Sequence, residues 1–484
     1  MPTTATRRIL ITGATGYIGR RLKDRLLQRA DLQLRLLVRD PNRLRPEVRQ
    51  RVEVVQGDSF DATALQKALQ QVDVAFYLIH SMGSGPDYAA RDRRSAEQFR
   101  DACIAAGVAR LIYLGGLGRM ENASEHLRSR LETGAILSAR PETLQTLWFR
   151  AGVILGAGSA SFEIIHHLTQ KLPVMLTPRW VTTRTQAIAV EDVLTYLEAA
   201  IDLPAAGNWQ IDIGSEPTDF RGLMQAAAAS LGLKRWLIPV PLLSPKLSSY
   251  WLMLFTPVPY SIAAALVEGL KSETLVENDH AKQLFPTIVP RTLPQAFQLA
   301  LQELESDAVL SRWCDSSAGE VCDLSPPADP KALVYRDCRQ FALAGLTPAR
   351  VFSQLCQLGG AAGWGGYDPL WSLRGVIDKL MGGVGLNRGR RVPAQLRVGD
   401  AVDFWKVVDL RSNKRLLLLA QMKLPGKGWL EFVIDDDWLI QTAHFFPKGL
   451  GGRLYWYLVM PFHALVFERM GRRLLAQAAK MPAS

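Results

Sequence analysis

Gly13, Gly16 and Gly19 stand in the run TGATGYIG, directly after the apolar stretch Ile9 to Thr12 and ahead of a helical pattern that starts at Tyr17. A strand, a G-x-x-G-x-x-G turn and a helix in that order suit the pyrophosphate of a dinucleotide. The glycines let the chain turn sharply, approach the anion and pack helix on strand, while the helix N-terminus offers amides that no carbonyl has taken. Thr15, Tyr17 and Ile18 complete the loop and its first helical turn, so they join the glycines as cofactor-binding candidates. About twenty residues after the last glycine, where an NAD(H) site places an acidic side chain on the ribose, the sequence has Arg39 in LLVRDPNRL, with Arg43 close behind. A guanidinium pairs with a 2′-phosphate, so NADP(H) is the expected cofactor. Asp40, the next residue, keeps NAD(H) open as the lesser alternative, and Arg39 as a plain solvated strand cap is the bland one.

These groups need a wound sheet to hold them. Strand-like runs at Ile9 to Thr12, Leu34 to Val38, Val52 to Val55, Val74 to Ile79 and Leu111 to Leu114 alternate with helical patterns at Tyr17 to Arg29, Ala62 to Gln70, Asp87 to Ala106 and His126 to Ser138. That alternation predicts an α/β, Rossmann-type doubly wound parallel sheet. Leu147 to Leu155 reads as a further strand, and Ala187 to Ala200 as a short strand followed by a helix. Residues 1–215 are taken as the NADP(H)-binding domain. Residues 216–305 are less regular, with helices expected at Phe220 to Leu231, Ser261 to Lys271 and Pro294 to Leu304, and are assigned as a cap over the substrate.

The proline- and serine-rich stretch 306–330 reads as a linker. Residues 331–484 form a different unit, with strands at Ala332 to Ala342, Asp400 to Asp409, Arg415 to Lys423, Trp429 to Ile434 and Leu439 to Phe446. A helix at Thr347 to Leu358 and a long closing helix at Arg453 to Ala478 complete an α+β domain in which a curved antiparallel sheet grips a helix. The uncharged run Leu247 to Val267 raises the question of a membrane span. Pro257 and Pro259 divide it, which favours a buried or interfacial element.

With 484 residues, 48% hydrophobic and 21% charged, the chain has ample material for two or three cores. A net charge of +11 permits nucleic acid, anionic lipid or a phosphorylated cofactor as partner. The basic residues are dispersed and no nucleic-acid-binding signature accompanies them, so no nucleic-acid role is expected. Five cysteines without a C-x-x-C pair argue for a reducing compartment. The N-terminus runs straight into the first strand with no room for a signal peptide, so the expected location is the cytoplasm or the inner face of the membrane. His166 and His167 are adjacent and lack a ligand-spaced partner, and no metal site is expected.

TGATGYIG, Arg39, GDSFD at Gly57 to Asp61 and YLGGLG at Tyr113 to Gly118 together resemble an atypical short-chain dehydrogenase/reductase, closest to the NmrA-like and complex I accessory-subunit branch. The resemblance covers about the first 300 residues. It implies that Asp58 contacts adenine, and that Leu78, Ile79 and His80 line the ribose and nicotinamide region. Typical members pair a serine with Y-x-x-x-K, a phenol acidified by an ammonium. Here the matching SEHLRSR puts His126 at the tyrosine position and Arg130 at the lysine position, while Gly115 and Gly116 stand where the serine is usual. His126, Arg130 and Ser81 are therefore the catalytic candidates. An imidazole near its ordinary pKa titrates at neutral pH, whereas a guanidinium holds charge but relays no proton.

The run from GGAAGWGGYDPLW through RGRR and QMKLPGKGWLEF to FFPKGLGGRLYWYLVMPFH resembles the C-terminal domain often fused to such reductases. That domain is in turn similar to the helix-grip fold of the START and Bet v 1 group, whose cavity suits a hydrophobic ligand such as a quinone, polyketide or lipid. Asp403, Lys423, His444 and His463 are candidates to orient its polar head. Three functions follow as expectations. The first is an atypical NAD(P)H-dependent oxidoreductase acting on a hydrophobic carbonyl or quinone-like substrate. The second is a non-catalytic NADP(H)-binding redox sensor. The third is a lipid or quinone carrier peripheral to the membrane.

Overall fold

The computed structural model describes residues 6–41, 44, 46–79, 88–204, 206–240, 266–269, 272–305, 335–365, 367–381, 385, 395–435, 437–447 and 449–480. They group into two compact units, one ending at residue 305 and the other starting at 335.

In the first unit, β1 (Arg7–Thr12), α1 (Tyr17–Leu26), β2 (Leu32–Val38), β3 (Glu53–Gln56), α2 (Ala62–Leu69), β4 (Val74–Tyr77), α3 (Tyr88–Ala105), β5 (Arg110–Gly116), α4 (Glu125–Leu137) and β6 (Gln145–Ala151) follow one another. After α5 (Ala160–Lys171) and α6 (Val190–Ala199), β7 (Trp209–Ile213) completes a seven-stranded sheet in the order β7-β6-β5-β4-β1-β2-β3. Every pairing in it is parallel. The strand order reverses between β1 and β4, the place where this architecture leaves a crevice for ligands at the strands' carboxyl ends.

Alternation along β1 sends Ile9 and Ile11 to one face and Leu10 to the other. Ile9 and Ile11 pack with Leu22, Phe76, Phe149 and Leu197, and Leu10 with Tyr77, Phe99, Tyr113 and Trp148. Side-chain caps fix the helix starts. Asp61 accepts from the amides of Thr63 and Ala64, both at 3.0 Å, and Ser124 accepts from that of Leu127 at 3.3 Å. Beyond β7 come α7 (Phe220–Ser230) and α8 (Leu293–Glu305), and Arg21 of α1 pairs with Glu303 of α8 at 2.6 Å.

Leu147 to Leu155 is not one strand. It divides into β6 and a two-residue strand, Ile154–Leu155, that pairs with Ile188–Ala189 outside the main sheet. A further parallel pair, Val174–Pro178 with Trp236–Val240, carries no local signal in the sequence because its halves are far apart in the chain. Residues 247–265 of the uncharged run lie outside the described residues. Among those described, no helix is long and apolar enough to cross a membrane.

The second unit contains β8 (Tyr335–Ala342), α9 (Pro348–Leu355), α10 (Asp368–Leu380), β9 (Ala401–Val402), β10 (Trp405–Arg411), β11 (Arg415–Ala420), β12 (Gly426–Asp435), β13 (Trp438–Pro447) and α11 (Gly449–Lys480). Its strands form a six-stranded antiparallel sheet in the order β8-β13-β12-β11-β10-β9. Val466, Phe467, Met470 and Leu474 of α11 pack into one core with Leu416, Leu430, Phe432 and Leu439 of the sheet. The expected strand Asp400 to Asp409 breaks at Asp403, whose φ of 54° turns the chain. The helix Asp368–Leu380 has no counterpart among the elements expected from the sequence.

Candidate functional site

At the mouth of the crevice, Gly13 has φ +68°, and a Cβ there would lie 2.4 Å from the carbonyl oxygen of Leu78. Only glycine fits both the angle and the approach. A Cβ on Gly19 would meet the carbonyl oxygen of Gly13 at 2.2 Å, so this glycine lets α1 close on the loop. Gly16 caps α1 without a side-chain hydrogen bond, which leaves the first-turn amides directed at the crevice. The geometry fits a pyrophosphate: a backbone cradle that any side chain would fill, beneath an uncapped helix N-terminus.

Tyr17 contributes backbone there, since its phenol donates to Ala157 O at 3.2 Å. Ile18 packs into the core, and Thr15 is half-exposed in the loop. Sequence reasoning missed Arg20. It is buried in α1 and its Nε donates to Thr15 O at 2.9 Å, bracing the loop from behind. The signal was an arginine next to the last glycine of the motif, where the helix must already be packed.

Arg39 follows β2 directly, exposed, with no side-chain hydrogen bond among the described residues. Asp58 closes the turn after β3, its Oδ1 accepting from Ser59 Oγ at 3.1 Å and from the amide of Phe60 at 3.3 Å. Leu78 and Ile79 leave the end of β4 half-buried, and the amide of Leu78 donates to Thr12 Oγ1 at 3.3 Å. Arg43, His80 and Ser81 lie outside the described residues.

His126 and Arg130 occupy the first two turns of α4. The His126 ring lies 5.0 Å from that of Tyr88, a neighbour the sequence reading did not foresee because it comes from α3. Burial, and then the charge of Arg130, hold the imidazole below its ordinary pKa, so it is neutral at pH 7. Tyr88 is a poor acid: burial and the carboxylates of Glu125 and Glu268 push its phenol up to about 12. The half-buried Arg130 forms no ion pair among the described residues, and burial lowers its pKa. Its Cδ lies 3.5 Å from where a Cβ on Gly116 would stand, which puts the side chain at the carboxyl end of β5. At Gly115 a Cβ would meet Trp148 Nε1 at 2.8 Å and Tyr113 Cε1 at 2.9 Å, so the indole and phenol have taken the room a serine would need.

Beside α4 an open groove of about 500 Å³ is lined by Gly118, Arg119, Leu131, Trp148, Arg150 and Glu277, among others. The buried Arg150 grips Asp212 twice, at 2.7 and 2.8 Å, across neighbouring strands. Arg119 and Arg150 hold Glu277 below the usual carboxylate range. His167 pairs with Glu163 at 3.3 Å and His166 stacks on Phe162, which places both in helix packing. No cluster of metal-ligating side chains occurs among the described residues.

In the second unit, Asp403 accepts from Trp364 Nε1 at 2.8 Å and from the amide of Gly360 at 3.0 Å, and His444 pairs with Glu431 at 2.8 Å. These two are structural partners. Lys423 is exposed. His463 is different: its ring lies between Trp456 and Phe467, its Nδ1 is buried without a hydrogen-bond partner among the described residues, and burial pushes its pKa down to about 4.

Residues 13–145 match the family described as NAD(P)H-binding, and residues 330–470 the family described as a protein of unknown function (DUF2867). The ceramide reductase of Caulobacter vibrioides is 30% identical over 250 residues, covering 50% of this chain and 76% of that protein. The chain belongs to the same NAD(P)H-binding Rossmann family, the atypical short-chain dehydrogenase/reductases. A second relative in this family, the (4-alkanoyl-5-oxo-2,5-dihydrofuran-3-yl)methyl phosphate reductase of Streptomyces griseus, is 40% identical over 123 residues, 25% of this chain and 39% of that protein. Among solved structures, a Citrobacter triphenylmethane reductase is 21% identical with a TM-score of 0.49, covering 61% of this chain and 99% of that one. In this short-chain dehydrogenase/reductase the family match takes in the glycine loop, Arg39 and α4.

Proposed function

We propose that the chain is an NADPH-dependent oxidoreductase that reduces the carbonyl of a hydrophobic substrate. The observation that carries this reading is the cradle at Gly13, Gly16 and Gly19, with Arg39 exposed at the end of the neighbouring strand. Both relatives are named as reductases, and one is named for a lipid.

The bound dinucleotide supplies the hydride. The amides of α1 hold its pyrophosphate, and Arg39 selects the 2′-phosphate. Asp58 would contact the adenine, and Leu78, Ile79 and His80 would line the ribose and nicotinamide region. Arg130 offers positive charge at the end of β5 to the nicotinamide-side ribose or phosphate. His126, neutral at pH 7, would donate a hydrogen bond from its ring N–H to the substrate oxygen, and the proton that this oxygen takes up as the hydride arrives would come from solvent. Ser81, which follows β4 in the sequence, is the second candidate donor.

Within the chain we read 1–215 as the cofactor domain, 216–305 as its substrate-side cap, 306–330 as a linker and 331–484 as a helix-grip-like domain for the hydrophobic ligand. Support for the last comes from α11 packed on the antiparallel sheet and from the buried Nδ1 of His463 on α11. A second reading, a non-catalytic NADP(H) sensor, draws support from Gly115, where the usual serine has no room.

Fluorescence titration of wild type and Arg39→Ala with NADPH and NADH, followed by NADPH absorbance during addition of quinones and hydrophobic aldehydes, tests the reading. Arg39-dependent NADPH binding with substrate-triggered oxidation is the expected result. Binding without oxidation across the panel favours the sensor, and absence of dinucleotide binding overturns both.

A further inference from the structure

Nearly all of the chain's excess charge lies in its C-terminal part. Residues 335–484 hold 21 Lys and Arg against 11 Asp and Glu, a net +10 of the +11 carried by the whole chain. The same unit turns two apolar helix faces to solvent. On α11, Leu454, Tyr457, Leu458, Phe462 and Leu465 are between 49% and 63% exposed, at spacings of three and four residues. No charged residue occurs between Arg453 and Glu468. On α10, Leu373, Val376, Ile377 and Leu380 are between 41% and 68% exposed, again on a helical repeat.

The two faces adjoin. Arg374 of α10 hydrogen-bonds the phenol of Tyr455, and its Nη2 donates to Lys423 O at 3.3 Å. The amide of Lys423 donates to Asp378 Oδ1 at 2.6 Å, and the Pro425 carbonyl oxygen lies 2.3 Å from where a Cβ on Gly452 would be. The loop between β11 and β12 thus touches both helices; with the start of β12 it carries the exposed Lys423 and Lys427 on the side of Gly452 and the exposed Arg453.

Single exposed apolar side chains are ordinary, but a continuous apolar face with a basic rim is an interaction surface. Its charge selects the partner. A second copy would bring +10 against +10, whereas an anionic bilayer offers hydrocarbon to the stripes and phosphate to the lysines and arginines. Tyr457, exposed and close to Arg453 in the chain, is a residue type that settles at headgroup depth. The stretch free of charge is too short to span, and Pro461 falls inside it.

We infer that α10 and the first half of α11 dock this unit on a membrane surface containing anionic phospholipid, with α11 lying in the interface plane. Docking is independent of the proposed reduction, so either stands if the other fails. The test is co-sedimentation of the full chain with vesicles of phosphatidylcholine alone or mixed equally with phosphatidylglycerol.

The expected result is binding to the mixed vesicles that weakens with salt. It falls about tenfold in Leu458→Glu/Phe462→Glu and in Lys427→Glu/Arg453→Glu, with NADPH titration and circular dichroism unchanged. No binding, or binding indifferent to both lipid charge and these substitutions, overturns the inference. So does a dimer in light scattering that the same apolar substitutions dissolve, because the surface would then belong to a second copy.

Discussion

Gly13 stands so close to Leu78 that its missing side chain is a condition of the fold at this point: a Cβ would come within 2.4 Å of the Leu78 carbonyl oxygen. Gly13→Ala forces either the loop or the end of β4 to move, and it places an alanine at φ +68°. The expected cost is about 2 kcal/mol or more of stability, together with at least about a tenfold loss of NADPH affinity. Thermal unfolding with and without NADPH checks both, because the ligand-induced rise in Tm shrinks along with the affinity.

Gly115→Ser, which places the family's usual residue at the first of the two glycines that stand in its stead, is expected to damage the protein. Its Cβ would crowd Trp148 Nε1 at 2.8 Å and Tyr113 at 2.9 Å, and overpacking of this kind costs about 1–3 kcal/mol. Urea unfolding gives the stability change. A gain in reductase activity without loss of stability would show that the indole is not in the way.

The pH profile separates the two roles open to His126. Its pKa lies below the ordinary imidazole value, so the neutral form prevails above that point and the charged form below it. Acting as a neutral hydrogen-bond donor, His126 gives kcat/KM that stays level as the pH falls through its pKa, because the imidazolium still donates from the same nitrogen. Acting as an imidazolium acid, it gives kcat/KM that falls as the pH rises above its pKa. His126→Ala is expected to lower kcat about a hundredfold and to leave no inflection near neutrality, while NADPH affinity stays within about twofold.

His463 makes the second unit acid-sensitive. The folded pKa of about 4 lies below the unfolded value near 6.5, so the unfolded chain binds the proton more readily. Stability is complete above about pH 6.5 and falls as the pH drops toward 4, by about 3 kcal/mol from this group. Asp337, whose charge favours the imidazolium, and Arg339, whose charge opposes it, face the ring from β8. Tryptophan-detected urea unfolding of wild type and His463→Phe between pH 7 and 4.5 is expected to show the difference between them widening as acid is added.

What the sequence displayed was local. Ile9, Leu10 and Ile11 alternate between two faces, Asp61 and Ser124 cap the helices that follow them, and the glycine spacing needs no distant partner. What it concealed depends on contacts between remote segments. Arg150 and Asp212 meet only because β6 and β7 pair in register, and Tyr88 reaches His126 only because α3 packs beside α4. Asp368–Leu380 escaped for another reason: its apolar repeat faces outward, so it does not share the inward periodicity that identifies a core helix.

The most direct test of the central claim is hydride transfer itself. Wild-type protein is incubated with NADPH deuterated at C4 of the nicotinamide and a panel of long-chain aldehydes, ketones and quinones, and the products are read by mass spectrometry. The account predicts a reduced product that carries the label at carbon from an aldehyde or ketone, or oxidation of NADPH in step with quinol formation, with either signal lost in Gly13→Ala. Saturable NADPH binding with neither label transfer nor oxidation across the panel would contradict it.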